Sequence, residues 1–193
     1  MTDKKRVNLN ERLYITKSQL EEQEREFILK RHIERYSLAR QFAEGITLDF
    51  GCGGGYGSYL MALNPDVSKL YGYDKDLHSL DFAKEQYKWD SLEYVYDTEA
   101  IGNIDTLVAI EVVEHIKDKS VIPIVAKKHN VKKVVISYPT KKTTHYNDKH
   151  FYDFERWQLE QMFGEYKLVD SFNLWHESEL LVFVRRDLVG RNI

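Results

Sequence analysis

The chain has 193 residues, 42% of them apolar and 31% charged, with a formal net charge of -3. That length suits one domain with a real core, and the mild acidity argues weakly against a dedicated nucleic-acid binder. No window of about 18 uncharged apolar residues is present, which excludes a membrane helix. The charged start, Met1–Arg6, lacks the apolar stretch of a secretory signal, and the single cysteine, Cys52, excludes a disulfide framework and a Cys-based zinc site. A cytoplasmic protein without membrane attachment is the expectation.

Ser18 to about Glu44 reads as helix, with room for one break. Phe27, Ile28, Ile33, Tyr36, Leu38, Phe42 and Ala43 form its apolar stripe, and Gly45 is its stop signal. Short apolar runs then alternate with amphipathic stretches. Strands are expected at Ile46–Phe50, Lys69–Tyr73, Leu92–Tyr96, Ile104–Ile110 and Lys132–Tyr138. The helices between them are expected at Tyr56–Leu63, Leu77–Tyr87 and about Lys119–His129. Such spacing implies βαβ units and a parallel sheet. After a helix at Phe154–Phe163, two further strands, Tyr166–Trp175 and Glu179–Arg185, leave room only for a tight turn. They should therefore pair as an antiparallel hairpin. Five parallel strands closed by a hairpin differ from the usual dinucleotide-binding sheet.

Asp49-Phe-Gly-Cys-Gly-Gly-Gly-Tyr-Gly57 follows the first strand and opens the first crossover helix. Glycines there permit tight turning and close approach of a ligand to the backbone, and the helix start offers unpaired N–H groups. A lone G-x-G-x-x-G is weak, but Asp74 stands about 20 residues on, at the end of the next strand. A carboxylate in that place can accept both ribose hydroxyls of a nucleoside. Asp49 is the departure from nicotinamide sites, where an apolar residue is usual. A buried carboxylate needs a partner, for which loop N–H groups or a bound ammonium are the candidates.

Leu48 to Gly57 resembles motif I of class I S-adenosylmethionine (SAM)-dependent methyltransferases, and His32–Leu60 is similar to their small-molecule and sugar-type members. The resemblance implies an α/β, Rossmann-like methyltransferase fold: a mostly parallel seven-stranded sheet with a C-terminal antiparallel hairpin and helices on both faces. It implies that residues 1–44 form a helical segment capping the site and residues 45–193 the catalytic domain. Asp49, Gly51, Gly53 and Gly55 are then expected along the methionine part of SAM, Asp74 on the ribose, and Asp97 with Thr98 near the adenine. Arg35 and Tyr36 are within reach of the cofactor carboxylate, though their spacing equally suits packing.

Glu111-Val-Val-Glu-His115 closes the fourth strand, at the end where open α/β sheets bind ligands. Its wording resembles ubiquinone-biosynthesis-type O-methyltransferases and small-RNA 3′-terminal 2′-O-methyltransferases. The second group implies a divalent cation, Mg²⁺ or Mn²⁺, on Glu111, Glu114, His115 and a downstream histidine, here His150; Glu111 also counts among the expected cofactor-binding residues. The plainer alternative is that His115 packs and Glu114 begins the next turn. Without a metal, His145 or His150 is the natural general base for a hydroxyl acceptor, since imidazole titrates near neutral pH. Tyr138, Tyr146, Phe151, Tyr152 and Trp157 are candidate pocket walls.

Lys127, Lys128, Lys132, Lys133, Lys141, Lys142 and Lys149 make the later chain basic. They are either a solvated face or a phosphate-binding one near the loop after residue 138. The expected activity is methyl transfer to a hydroxyl of a small, hydroxylated or sugar-like acceptor. Metal-assisted methylation of RNA or a nucleotide is the first alternative, and a non-catalytic SAM-binding regulator the second. Asp/Asn-Pro-Pro-aromatic is missing after the fourth strand, which speaks against methylation of DNA bases.

Overall fold

A computed structural model describes residues 16–190. Helix α1 (Lys17–Ala39) runs without a break and stops at Ala39 rather than Glu44. The chain divides between Ile33 and Glu34 into two units. In the first, α1 carries Phe27, Ile28, Leu29 and Ile33 as exposed apolar residues, with the Arg31 guanidinium 3.8 Å above the Phe27 ring. The expected N-terminal segment includes residues 1–15, which lie outside the described residues.

The second unit is built on one seven-stranded sheet. Its elements in chain order are β1 (Gly45–Phe50), α2 (Tyr56–Ala62), β2 (Val67–Tyr73), α3 (Leu77–Gln86), β3 (Leu92–Val95), β4 (Thr106–Ile110), α4 (Val121–Lys128), β5 (Lys133–Pro139), α5 (Arg156–Met162), β6 (Tyr166–Leu174) and β7 (Ser178–Arg185). The order across the sheet is β3-β2-β1-β4-β5-β7-β6. β1 to β5 pair in parallel, and β7 joins β5 and β6 in antiparallel fashion. This is the expected Rossmann-like methyltransferase fold.

Alternation along the central strands divides the core in two, because successive side chains point to opposite faces. Leu48, Phe50, Leu107, Ala109, Val134, Ile136, Leu181 and Phe183 meet Ile122 and Ala126 of α4 and Leu159 of α5 on one side. Val108, Ile110, Val135, Leu180 and Val182 meet Tyr36 and Ala39 of α1 and Met61 and Ala62 of α2 on the other. Both faces are thus covered by helices. The hairpin's second strand, β7, is an unbroken apolar run, Leu180 to Phe183, and sits inside the sheet. β6 carries Lys167, Asp170 and Asn173 exposed and forms the edge. Charged side chains on an edge strand oppose further strand addition. Among the described residues no helix is long and apolar enough to cross a membrane.

Candidate active site

The chain leaves β1 toward β2 on one side and returns through β4 on the other. The carboxyl ends of β1 and β4 therefore border the switch point where open sheets bind ligands. A cleft of about 500 Å³ opens there, lined by Phe50, Gly51, Tyr73, Asp74, Lys75, Glu111, Val112, His115, Ile116, Lys117 and Phe151, among others.

The glycine loop between β1 and α2 has two kinds of glycine. Gly55 (φ 84°) is fixed by packing: a Cβ there would stand 2.6 Å from both the Ala83 Cβ and the Tyr94 hydroxyl. Gly53 (φ 51°) faces open space, with nothing within 4 Å of an added Cβ. Its N–H donates to Asp74 Oδ2 at 2.8 Å, while Asp74 Oδ1 accepts from the Asp76 N–H at 2.9 Å. The acidic partner at the end of β2 is thereby tied directly to the loop. An ionised carboxylate has about four lone-pair sites, so capacity remains for sugar hydroxyls.

Asp49 is fully buried below the loop. Within the chain, side-chain hydroxyls rather than loop N–H groups hold it. The Ser58 hydroxyl donates to Oδ2 at 2.6 Å, and the Tyr36 hydroxyl stands 3.4 Å from Oδ1. Burial nonetheless pushes its carboxyl up to about 7. Tyr36 also packs its ring 2.2 Å from where a Gly57 Cβ would lie, so it serves the loop's foundation. Asp97, placed by sequence near the adenine, accepts from the Glu99 N–H at 3.0 Å and borders a separate depression with Tyr96 and Ala100.

At the end of β4, Glu111 takes a left-handed backbone conformation (φ 54°). In a non-glycine residue that costs about 1–3 kcal/mol, a strain found mostly where side chains are aimed for function. Its N–H donates to Ser137 Oγ at 2.9 Å, and that hydroxyl donates back to Oε1 at 2.7 Å. The Arg35 guanidinium lies 3.6 Å from Oε2 and also donates to Ser178 Oγ at 3.1 Å. Burial raises the Glu111 pKa, and Arg35 pulls it back.

Three residues past β4 the chain tightens into a 3₁₀ turn, Val113–His115. Glu114 is 1% exposed, and among the described residues neither of its carboxylate oxygens has a hydrogen-bond partner. Burial, then the nearby Glu111 charge, drives its pKa upward. The loop after β5 returns to this turn: the Phe151 N–H donates to the Glu114 carbonyl at 2.8 Å. The same loop brings His150 against His115, ring centroids 4.4 Å apart and nearly perpendicular. Ligand-type atoms of Glu114, His115 and His150 all lie within 4.8 Å of one another.

His115 Nδ1 contacts the Lys149 carbonyl at 3.1 Å. A carbonyl only accepts, so Nδ1 carries the proton and Nε2 is left with its lone pair. His150 Nδ1 contacts Thr143 Oγ at 2.7 Å. An orphaned buried carboxylate beside two imidazoles held through Nδ1 suits a hard or borderline divalent cation. The structure thus gathers three of the four residues expected around a metal, and Glu111 is occupied instead by Ser137 and Arg35. His145 is exposed against the Tyr146 ring and lies outside the cleft lining. Ser58, Ser137 and Thr143 were not expected from sequence. The only signal at Ser58 and Ser137 is a small hydroxyl residue on an otherwise buried face, and Thr143 reads as an ordinary loop residue.

The family described as a methyltransferase domain matches part of this unit. Residues 48–129 carry the match. That segment runs from β1 through α4 and holds the glycine loop, Asp74, Glu111, Glu114 and His115, but not the loop bearing His150. No curated protein sequence matches the chain. Among solved structures, a protein described as a type 11 methyltransferase from Sulfolobus solfataricus is 22% identical, with 75% of this chain and 86% of that one covered and a TM-score of 0.61. Magnesium protoporphyrin IX methyltransferase from Synechocystis, solved with S-adenosylhomocysteine bound, is 15% identical over 91% of this chain and 90% of that one, TM-score 0.68. The N-methyltransferase NodS from Bradyrhizobium japonicum is 14% identical over 82% and 96%, TM-score 0.64. At such identities the likeness is one of fold.

Proposed function

We propose that the protein is a SAM-dependent O-methyltransferase acting on a small hydroxylated or sugar-like acceptor, with a divalent cation, Mg²⁺ or Mn²⁺, beside the cofactor. One observation carries the choice of chemistry: the Glu114, His115 and His150 cluster adjoins the cleft under the methyltransferase-type glycine loop. The methyltransferase-domain match over residues 48–129 and a fold neighbour holding S-adenosylhomocysteine support SAM as the donor.

On this reading Gly51 and Gly53 give the methionine part of SAM close access to backbone, while Gly55 packs the loop against Ala83 and Tyr94, with Asp49 beneath them. Asp74 accepts from the ribose, and Asp97 lies toward the adenine. Glu111, held by Ser137 and Arg35, faces the cofactor's amino-acid end. Phe50, Val112, Ile116 and Phe151 keep water from the reacting groups. A sulfonium methyl is already activated, so the residues chiefly fix the acceptor oxygen in line with it. Glu114, His115 and His150 would hold the cation, whose Lewis acidity eases deprotonation of a coordinated hydroxyl. Without a cation, His150 Nε2 is the natural proton acceptor.

An acceptor screen following S-adenosylhomocysteine release, run with Mg²⁺, with Mn²⁺ and with chelator, tests this. Methylation of hydroxyl acceptors that chelation abolishes is expected. Turnover indifferent to chelator, in protein purified free of metal, removes the cation. SAM binding without transfer to any acceptor favours a regulatory role.

Methylation of an RNA or nucleotide 2′-hydroxyl is a second reading, favoured by the cleft's rim. Lys75 and Lys117 line it together with Phe151, an exposed ring of the kind on which a base stacks. Labelled SAM offered with RNA and with small polyols decides between the two acceptors.

A further inference from the structure

The loop that delivers His150 is closed by a single carboxylate. Asp153 Oδ1 accepts from the Thr143 N–H at 2.7 Å and the Thr144 N–H at 3.1 Å, and Oδ2 accepts from the Thr144 hydroxyl at 2.6 Å. The Thr143 hydroxyl lies 3.4 Å from Asp153 Oδ1 and 2.7 Å from His150 Nδ1. These contacts have a direction. An ionised carboxylate can only accept, so the hydroxyl facing Asp153 donates to it. With its proton on Asp153, that hydroxyl offers the imidazole a lone pair, the arrangement in which His150 Nδ1 is the donor.

We propose that Asp153 and Thr143 are positioning residues: together they set the tautomer of His150, placing its proton on Nδ1 and turning a bare Nε2 toward Glu114 and His115. The placement of Nε2 beside the other two rests on the metal-site reading above, whereas the tautomer itself does not. Thr143 is 6% exposed, so water does not compete for its hydroxyl. His115 reaches the same state by a different route, through the Lys149 carbonyl. Two histidines from separate segments thereby share one tautomer, His115 through a carbonyl that can only accept and His150 through a hydroxyl whose proton is directed at Asp153. A loop formed only for packing has no need of that order. Outer-shell partners that fix a ligand's tautomer are worth about 10–100-fold in metal affinity.

Thr143→Val keeps the shape and removes the hydroxyl, and Thr143→Ser restores it. Imidazole nitrogen shifts of ¹⁵N-labelled full-length protein report the His150 tautomer, and calorimetry with Mn²⁺ alone reports metal affinity. SAM affinity and melting temperature serve as folding controls. Wild-type protein should show Nδ1–H at His150. The valine variant should lose that preference and bind Mn²⁺ about 10-fold or more weakly with SAM affinity intact, and serine should recover both. An Nε2–H tautomer in the wild type, or a valine variant matching it in tautomer and Mn²⁺ affinity, overturns the proposal. Absence of Mn²⁺ binding by wild-type protein refutes the metal site instead, while the tautomer measurement still decides the role of Thr143.

Discussion

Single residues at this site are set by what buries them. Asp49 shows it best. Its folded pKa, about 7, lies above the ordinary value of 3.8, chiefly because it is buried. A raised carboxyl pKa favours folding below the unfolded value, and that contribution disappears as pH climbs through the folded one. Asp49 therefore weakens the fold between about pH 4 and pH 7, by at most about 4 kcal/mol at one pKa unit per 1.36 kcal/mol. Asp49→Asn keeps the size and an acceptor oxygen for Ser58. It should melt higher than wild type at pH 8, with the gap narrowing toward pH 4; a gap constant across that range contradicts the assignment. His150 is the second residue whose duty can be isolated. His150→Ala should lower turnover by about 10²-fold or more while SAM affinity holds. Parallel loss of both, or of neither, removes it from the chemistry. Asp49, Asp74, Glu111, Glu114, His115 and His150 were legible because charge stood where strands end or where a known motif marks it. Their partners Ser58, Ser137, Thr143 and Asp153 were not, since small hydroxyls and loop aspartates look like turn chemistry until the fold brings them together.

At the level of elements, the glycine loop separates packing from binding. Gly55→Ala drives a Cβ into Ala83 and Tyr94, at a position already left-handed. It should destabilise the fold by about 2 kcal/mol or more, combining a steric clash with the backbone cost. Gly53→Ala meets no atom. It should cost only about 1 kcal/mol for the left-handed backbone, yet weaken SAM binding by more than that, since its methyl occupies ligand space. Thermal melts with and without SAM separate the two. Equal effects of both substitutions on binding would falsify the division. Periodicity placed every strand of the sheet to within a few residues, because buried parallel strands are apolar runs that stand out between amphipathic helices. Of the 3₁₀ turn at Val113–His115, only a turn at Glu114 was among the alternatives read from sequence. Three residues carry no period, and its purpose is visible only once the loop from β5 docks on it. The hairpin's sense followed from its short turn. The insertion of β7 between β5 and β6 was not read from the sequence; its physical reason is that Leu180–Phe183 has no polar side to expose, whereas β6 does.

For the molecule as a whole, the carboxylates gathered at one end of the sheet couple stability, pH and ligand. Glu111 and Glu114 both have raised pKa values, mainly through burial, and the Glu111 charge adds to the rise at Glu114. By the sign rule used for Asp49, the stability tied to their protonated forms is complete below the ordinary carboxylate range. It drains away as pH rises through the raised values. The ligand-free protein should accordingly lose stability from mildly acidic toward alkaline pH. A cation needs Glu114 ionised and the two Nε2 atoms bare, so its binding displaces protons and strengthens as pH rises. Whatever binds only the folded form raises the melting temperature by mass action. The rise produced by Mn²⁺ should therefore be larger at pH 8 than at pH 6. Glu114→Gln should do two opposite things: raise the melting temperature of the ligand-free protein at pH 8, and abolish the shift given by Mn²⁺. A buried structural glutamate predicts the first half without the second, and a surface metal site predicts the second without the first. Melts of the two proteins at both pH values, with and without Mn²⁺, therefore distinguish a buried carboxylate awaiting a cation from one that merely fills the turn after β4.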